Sequence, residues 1–570
     1  MKNRLKSLYK YLVENRKHEI IGWHDDYRDF YGQVGQIRKR IQAGESVSQG
    51  DTTFLKKLLY EKSNGIASRG QSTLSELDFK KVIQDSEYLE ALQNLIKDAT
   101  RGSYKNFTEI WPKKVSKNNP VLINRVAAAC TLKASTTVDS GRFNEVFSWL
   151  IREKIIPAYP SEEDQDWFSK NEFLMEQIKS SDWLEEKFNN EALGYKTYQI
   201  KDSDIETDEF FLSMFVWYIY ENLSNPFSLK KQIVKYGAPG TGKTYKAREQ
   251  TELLFDVWKE EFAPDSSLTH ESQIELVQFH PSFSYEDFIE GLRPVLDGNG
   301  TAQLTLQNGV FKRFCSEAGK WEIDVYGLSL DRDWESLTIE ELRPHREKLS
   351  GSYWQHIFEM SAPTKLVSDA VPPFFFIIDE VNRAELSRVF GELMYCLEYR
   401  GVEGAVKTQY ANLNSSDTAM LCVGADKNIY KFFIPTNVYL IGTMNTIDRS
   451  VESFDFALRR RFRWEEVKPD MRVLRYHLAS TDEGIYKHWA PLAGNLEQLN
   501  SKITNELLLG HDYQIGHAYL MNMKYASSLT IAEVRARVWD DCIRPLLQEY
   551  LRGTGKEIEI IDSFGKAFGV

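Results

Sequence analysis

Gly237, Pro239, Gly240, Thr241, Gly242, Lys243 and Thr244, within Tyr236–Tyr245 (YGAPGTGKTY), have the types and spacing of a phosphate-binding P-loop. Glycines let successive backbone N–H groups turn toward one anion, and a following helix N-terminus adds positive dipole. Lys243 is then placed to reach the β- and γ-phosphates, and the Thr244 hydroxyl to ligate Mg²⁺. Further along, Asp379 and Glu380 end an apolar run. The first carboxylate can hold the Mg²⁺ shell opposite Thr244, and the second can orient or deprotonate an attacking water. Asn445, in Thr443-Met444-Asn445, would set a neutral amide against the γ-phosphate or its water, although Asn at a strand end is also an ordinary turn former. Arg459-Arg460-Arg461 closes a helical pattern that begins near Ser450. The triplet reads either as a solvated helix end favoured by the dipole or, in an oligomer with nucleotide between subunits, as fingers for a neighbour's γ-phosphate.

The elements that must position these groups are short apolar runs separated by helical patterns: Ile233–Tyr236, Ile274–Phe279, Phe374–Ile378, Val438–Gly442 and Phe462–Val467. Runs this continuously apolar suit strands buried on both faces, so the expected fold is α/β, a parallel sheet with helices on both faces. Ligands of such sheets bind at the carboxyl ends of the strands, where the polar residues above fall. Beyond Pro469 the pattern is helical and suits a lid. Before Lys231 it is also mostly helical, and Phe210–Asn222 is apolar nearly all round, which demands burial, either on the nucleotide domain or at its junction with the amino-terminal part. The expected division is therefore residues 1–200, a mostly helical recognition or adaptor region; 201–470, the α/β domain, with an insertion at about 316–373; and 471–570, the helical lid.

Hydrophobic content of 42% and charged content of 27% over 570 residues are those of a folded globular chain, and no apolar run is long enough to span a membrane. A cytoplasmic protein is expected. Cys130, Cys315, Cys396, Cys422 and Cys542 lie apart, without CxxC spacing, and read as reduced thiols rather than a zinc site or disulfides. Net charge is −12, yet Met1–Leu150 carries 25 Lys+Arg against 17 Asp+Glu, so the basic side lies at the amino end. There Arg101, Lys105, Lys113, Lys114, Lys117 and Arg125 interleave with Tyr104, Phe107 and Trp111. Such a set could neutralise phosphates and stack bases, or be a solvated basic stretch with its aromatics packed inward.

Taken together, these residues resemble the AAA+ superfamily, and within it the McrB family of GTP-driven motors of type IV, modification-dependent restriction systems. The resemblance is carried by the P-loop, Val277–Pro294 (VQFHPSFSYEDFIEGLRP), Ile378–Glu398 (IDEVNRAELSRVFGELMYCLE), Met444–Phe462 (MNTIDRSVESFDFALRRRF) and Tyr513–Leu520 (YQIGHAYL). It implies a homo-hexameric ring hydrolysing GTP, or ATP, with Mg²⁺. In it Asp379 and Glu380 form Walker B, Asn382 lies near the catalytic water, Asn445 is sensor I, and Arg459 or Arg460 acts in trans. It also implies a McrC-like nuclease partner and DNA recognition by the amino-terminal region, in restriction of foreign DNA. No nuclease constellation of its own stands out. Two departures are visible: the long stretch before Phe374, and a lid sensor arginine that spacing does not single out from Arg535, Arg537 and Arg544. No NKxD-type guanine motif is present, so GTP rests on the resemblance. A second reading is an ATP-hydrolysing, chaperone-like remodeller of protein complexes.

Overall fold

The computed structural model describes most of the chain; outside the described residues lie chiefly 1–4, 13–16, 67–72, 161–164, 180–208, 225–229, 263–266, 329–371, 424–428, 448–455, 481–490 and 522–528, with a few shorter stretches. Most of the expected insertion, and the Asp448-Arg449-Ser450 part of the MNTIDRS signature, fall there; residues 316–328 continue the helix Val310–Leu328. The contacts divide the chain into two compact units, 1–225 with 475–484, and 226–474 with 485–570.

The second unit is built on five parallel strands: β1 (Gln232–Gly237), β2 (Ile274–Gln278), β5 (Phe374–Asp379), β8 (Val438–Asn445) and β9 (Arg463–Glu466). They lie in the order β2-β5-β8-β1-β9, so all five expected runs are strands of one sheet. Parallel pairing carries their carboxyl ends to one edge, with Gly237 opposite Asn445, Ile378 opposite Gly442 and Gln278 opposite Asp379. Phe374–Ile378 of β5 and Val438–Ile441 of β8 are fully buried or nearly so, as strands covered on both faces require. On one face Phe288 and Phe311 stack at 4.6 Å and pack with Phe376 and Phe390, so an aromatic core clamps the strand that delivers Asp379.

Two antiparallel ribbons were not expected from the pattern: β3 (Glu290–Leu296) with β4 (Ala302–Asn308), and β6 (Leu421–Val423) with β7 (Ile429–Lys431). The lid is helical, as expected: Leu492–Asn505, Ile531–Val538, Arg544–Leu551 and Glu557–Phe568, with Thr530 and Glu533 forming a capping box and Trp539 stacked on Phe568.

The first unit is helical, from Lys17–Gln42 to Glu209–Ile219. The latter helix packs inside this unit. Phe210 is ringed by His24, Tyr27 and Tyr31, while Ser213 accepts at its carbonyl from the Thr136 amide and lies 3.3 Å from the Tyr27 hydroxyl. An apolar surface all round finds partners on every side there, and the division between units falls at 225/226 rather than at 200.

The basic-aromatic stretch takes the second of its two readings, with its aromatics packed inward. Arg101–Lys114 is a helix whose Tyr104, Phe107 and Trp111 point inward, packing on Tyr88, Trp167 and Phe168. They cannot stack bases. Lys114 pairs with Asp85 and Glu87, and Arg101 with Glu172. Arg125 is buried and donates to the Leu58 and Glu61 carbonyls at the end of helix Thr52–Leu59, a structural cap rather than a phosphate contact.

Candidate functional site

β1 ends at Gly237 and the helix Lys243–Phe262 begins six residues on, so the P-loop sequence is a strand-to-helix loop. Gly240 has φ +72°, a left-handed conformation, and the Tyr519 ring occupies the space a Cβ there would need, 2.7 Å away. Lys243 is buried, and its ammonium donates to the carbonyls of Gly237 (3.2 Å) and Ala238 (2.7 Å). Burial pulls its pKa down to about 8, against the opposing pull of Glu380 and then Asp379.

Register brings the other expected residues to this loop. The Thr244 hydroxyl donates to Asp379 Oδ1 at 2.5 Å, and the Thr443 hydroxyl donates to the same oxygen. A hydroxyl and a carboxylate converging in this way form an all-oxygen donor set, which fits a hard cation such as Mg²⁺. Asn445 Nδ2 donates to Glu380 Oε1 at 2.6 Å, and the Glu380 amide donates to Thr443 Oγ1 at 3.3 Å. Glu380 itself sits at φ +53°, a left-handed conformation rare for a non-glycine residue, which holds its carboxylate at the turn between β5 and Val381–Arg383. Asn382, in that turn, is buried and donates from Nδ2 to the Asn445 carbonyl at 3.3 Å. Thr244, Asp379, Glu380, Asn382 and Asn445 thus form one hydrogen-bonded group beside the P-loop.

The arginines are placed differently. Arg459 lies over the Trp464 ring, 4.9 Å from its centroid, while Arg460 and Arg461 both reach Glu398.

Residues missed in the sequence sit on the lid. The Gly516 amide donates to the Pro239 carbonyl and the Ala518 amide to the Gly240 carbonyl, both at 3.0 Å, so Gly516–Tyr519 straps the outer side of the P-loop. Asn500 fixes the strap by taking the Ile515 amide (2.7 Å) and donating to its carbonyl (2.8 Å). His517 is buried, accepts at Nδ1 from the Asp470 amide, and lies with Nε2 3.6 Å from where a Gly242 Cβ would stand. That arrangement makes Nε2 the protonated nitrogen of a neutral imidazole. Of the lid arginines, Arg535 donates to the Gly569 carbonyl and Arg544 pairs with Asp540. The signal for the strap was the IGHAYL sequence, whose contact with the P-loop only the fold reveals.

A phosphate loop, a carboxylate pair, an amide and a threonine on adjacent parallel strands, capped by a helical lid, define the nucleotide-binding domain of a AAA+ protein. Residues 233–462 match the AAA domain of the dynein-related subfamily, and residues 491–559 match the McrB alpha-helical lid domain. Over 335 residues the chain is 30% identical to the "Type IV methyl-directed restriction enzyme EcoKMcrB subunit" of Escherichia coli (strain K12), which covers 58% of this chain and 56% of that relative. It is 23% identical over 241 residues to the "Type II restriction enzyme BsuMI component YdiS" of Bacillus subtilis (strain 168), 42% of this chain and 57% of that relative. Over its nucleotide-binding domain and lid the chain is similar to McrB-type AAA+ proteins. The match spans little more than half the length of either relative. Among the described residues no helix is long and apolar enough to cross a membrane.

Proposed function

We propose that this chain is the Mg²⁺-dependent nucleoside-triphosphatase motor of a restriction system. In this reading it hydrolyses GTP in preference to ATP as a homo-hexamer and remodels or translocates DNA for a McrC-like nuclease. The observation that carries hydrolysis is the pairing of Asn445 with Glu380 beside an Asp379 shared by Thr244 and Thr443. Asn445 holds the Glu380 carboxylate in place, so Glu380 orients the water and takes up its proton, while Asn382 stands within reach of the same water. The P-loop amides and Lys243 bind the phosphate chain, and Arg459 or Arg460 from the next subunit spreads the charge on the transferred phosphoryl group. Mg²⁺, held by Thr244 and, through water, by Asp379, would supply Lewis-acid charge on the phosphate oxygens.

The restriction role rests on the two relatives, both named as restriction-enzyme components, and the GTP preference and the nuclease partner rest on the family resemblance. The first unit, whose residues 1–150 carry a basic excess, is assigned to recognition, with DNA as its partner through surfaces other than the buried aromatics of Arg101–Lys114. Phosphate release with GTP and with ATP, with and without an added McrC-like nuclease subunit, tests the assignment. In the same assay Glu380→Gln is expected to abolish turnover while leaving nucleotide binding within about twofold. Normal turnover in that variant overturns the role of Glu380.

A further inference from the structure

Three consecutive arginines close the helix Phe456–Arg461, and the fold makes them unequal. Arg460 and Arg461 share one carboxylate, Glu398, at 3.4 and 3.3 Å, and the Arg461 side chain is only 13% exposed. Arg459 has no carboxylate partner among the described residues. Its guanidinium lies 4.9 Å from the centroid of Trp464, and the indole Nε1 donates back to the Arg459 carbonyl at 2.9 Å, so one side chain supports the arginine at both its backbone and its tip. Stacking occupies the face of a guanidinium and leaves its N–H edge free to reach an anion.

Trp464 is in turn fixed to the nucleotide site of its own chain. It lies on β9 directly beside Val234 of β1, and its ring meets Tyr236 edge-on at 5.8 Å. Tyr236 immediately precedes Gly237, where the P-loop begins. A continuous line of contacts, Arg459 over Trp464 and Trp464 edge-on to Tyr236, therefore runs from the arginine helix to the phosphate loop of the same chain.

We propose that Trp464 is a positioning residue that presents Arg459, rather than Arg460, as the finger for the neighbouring subunit's γ-phosphate, and that through Tyr236 it ties that finger to its own subunit's P-loop. This rests on the trans-arginine reading above. Each subunit's nucleotide would then bias the hydrolysis next door.

The test uses the full chain in its assembly, with kcat and KM for hydrolysis and a fluorescent nucleotide for binding. Trp464→Leu is expected to lower kcat at least tenfold, with KM and nucleotide affinity within twofold of wild type. Trp464→Phe, which keeps an aromatic face, should recover most of the loss. Arg459→Ala should cost at least tenfold more kcat than Arg460→Ala. Mixing Lys243→Ala chains, which carry an intact finger, with Arg459→Ala chains, which carry an intact phosphate loop, should restore hydrolysis that neither has alone. Wild-type kcat in Trp464→Leu, or a raised KM with unchanged kcat, overturns the positioning role while leaving the finger in place. A larger loss in Arg460→Ala than in Arg459→Ala overturns the choice of Arg459. If both arginine variants hydrolyse normally, the trans-finger reading falls and this assignment falls with it.

Discussion

Gly516→Ala tests whether the lid strap governs nucleotide binding. A Cβ at Gly516 would stand 2.0 Å from the Gly240 carbonyl carbon, 2.1 Å from its oxygen and 2.5 Å from the Pro239 oxygen, all backbone atoms that cannot rotate aside. Ordinary contact between carbon atoms is about 3.5–4.0 Å, so strap and loop must separate by roughly 1.5 Å. The two amide-to-carbonyl bonds from Gly516 and Ala518 are 3.0 Å long and would not survive that displacement. Losing both costs about 1–3 kcal/mol, and residual overpacking about 1–3 kcal/mol more. The strap contact is thus opposed by roughly 2–6 kcal/mol, sufficient to release it. Hydrogen exchange should show faster exchange at the Gly516 and Ala518 amides, and nucleotide affinity should fall at least tenfold. Gly494→Ala is the control, since a Cβ there meets nothing within 4 Å inside the helix Leu492–Asn505. It should stabilise by about 0.5–1 kcal/mol. Unchanged amide protection and affinity within twofold in Gly516→Ala would refute the argument.

Two further outcomes follow from buried charge. Phosphate binds the ammonium form of Lys243, whose pKa in the free protein is about 8, so affinity should be level below that pH and fall by up to about tenfold per unit above it, with uptake of a proton on binding. Calorimetry in two buffers of different ionisation enthalpy measures that proton. In the absence of nucleotide the sign for stability is opposite. The unfolded chain holds the extra proton between about 8 and the ordinary lysine value of 10.5, so this group makes folding more favourable as pH rises through that window. At the base of the β3–β4 ribbon, Lys312 and Glu290 form an ion pair buried to 1% and 0% exposure, completed by Asn414. Glu290→Gln strands the Lys312 charge and should cost about 3–5 kcal/mol in denaturant unfolding, whereas Glu290→Leu with Lys312→Met should recover most of it.

What the sequence disclosed depended on whether one segment or the pairing of two carries the information. The P-loop and the five strands were legible because each is written in consecutive residues, the glycine spacing in one case and continuous apolar runs in the other. Thr443 went unread because its partner Asp379 is 64 residues away and only the β5–β8 register brings them together. The lid strap was missed for the same reason. Tyr104, Phe107 and Trp111 show the converse: their spacing of three and four is that of one helix face, and that periodicity outweighs the neighbouring lysines in deciding that the rings turn inward. The helix Glu209–Ile219 announced burial but not its neighbours, since an all-round apolar surface is equally suited to any core. Arg459, Arg460 and Arg461 put the distinction most sharply. In sequence they are three identical neighbours. Glu398, 63 residues from Arg461 and brought to it by the fold, engages two of them, while Trp464, on the strand that directly follows the arginine helix, takes the third. Spacing could therefore not tell the three apart, because the carboxylate that engages Arg460 and Arg461 is not written near them in the chain.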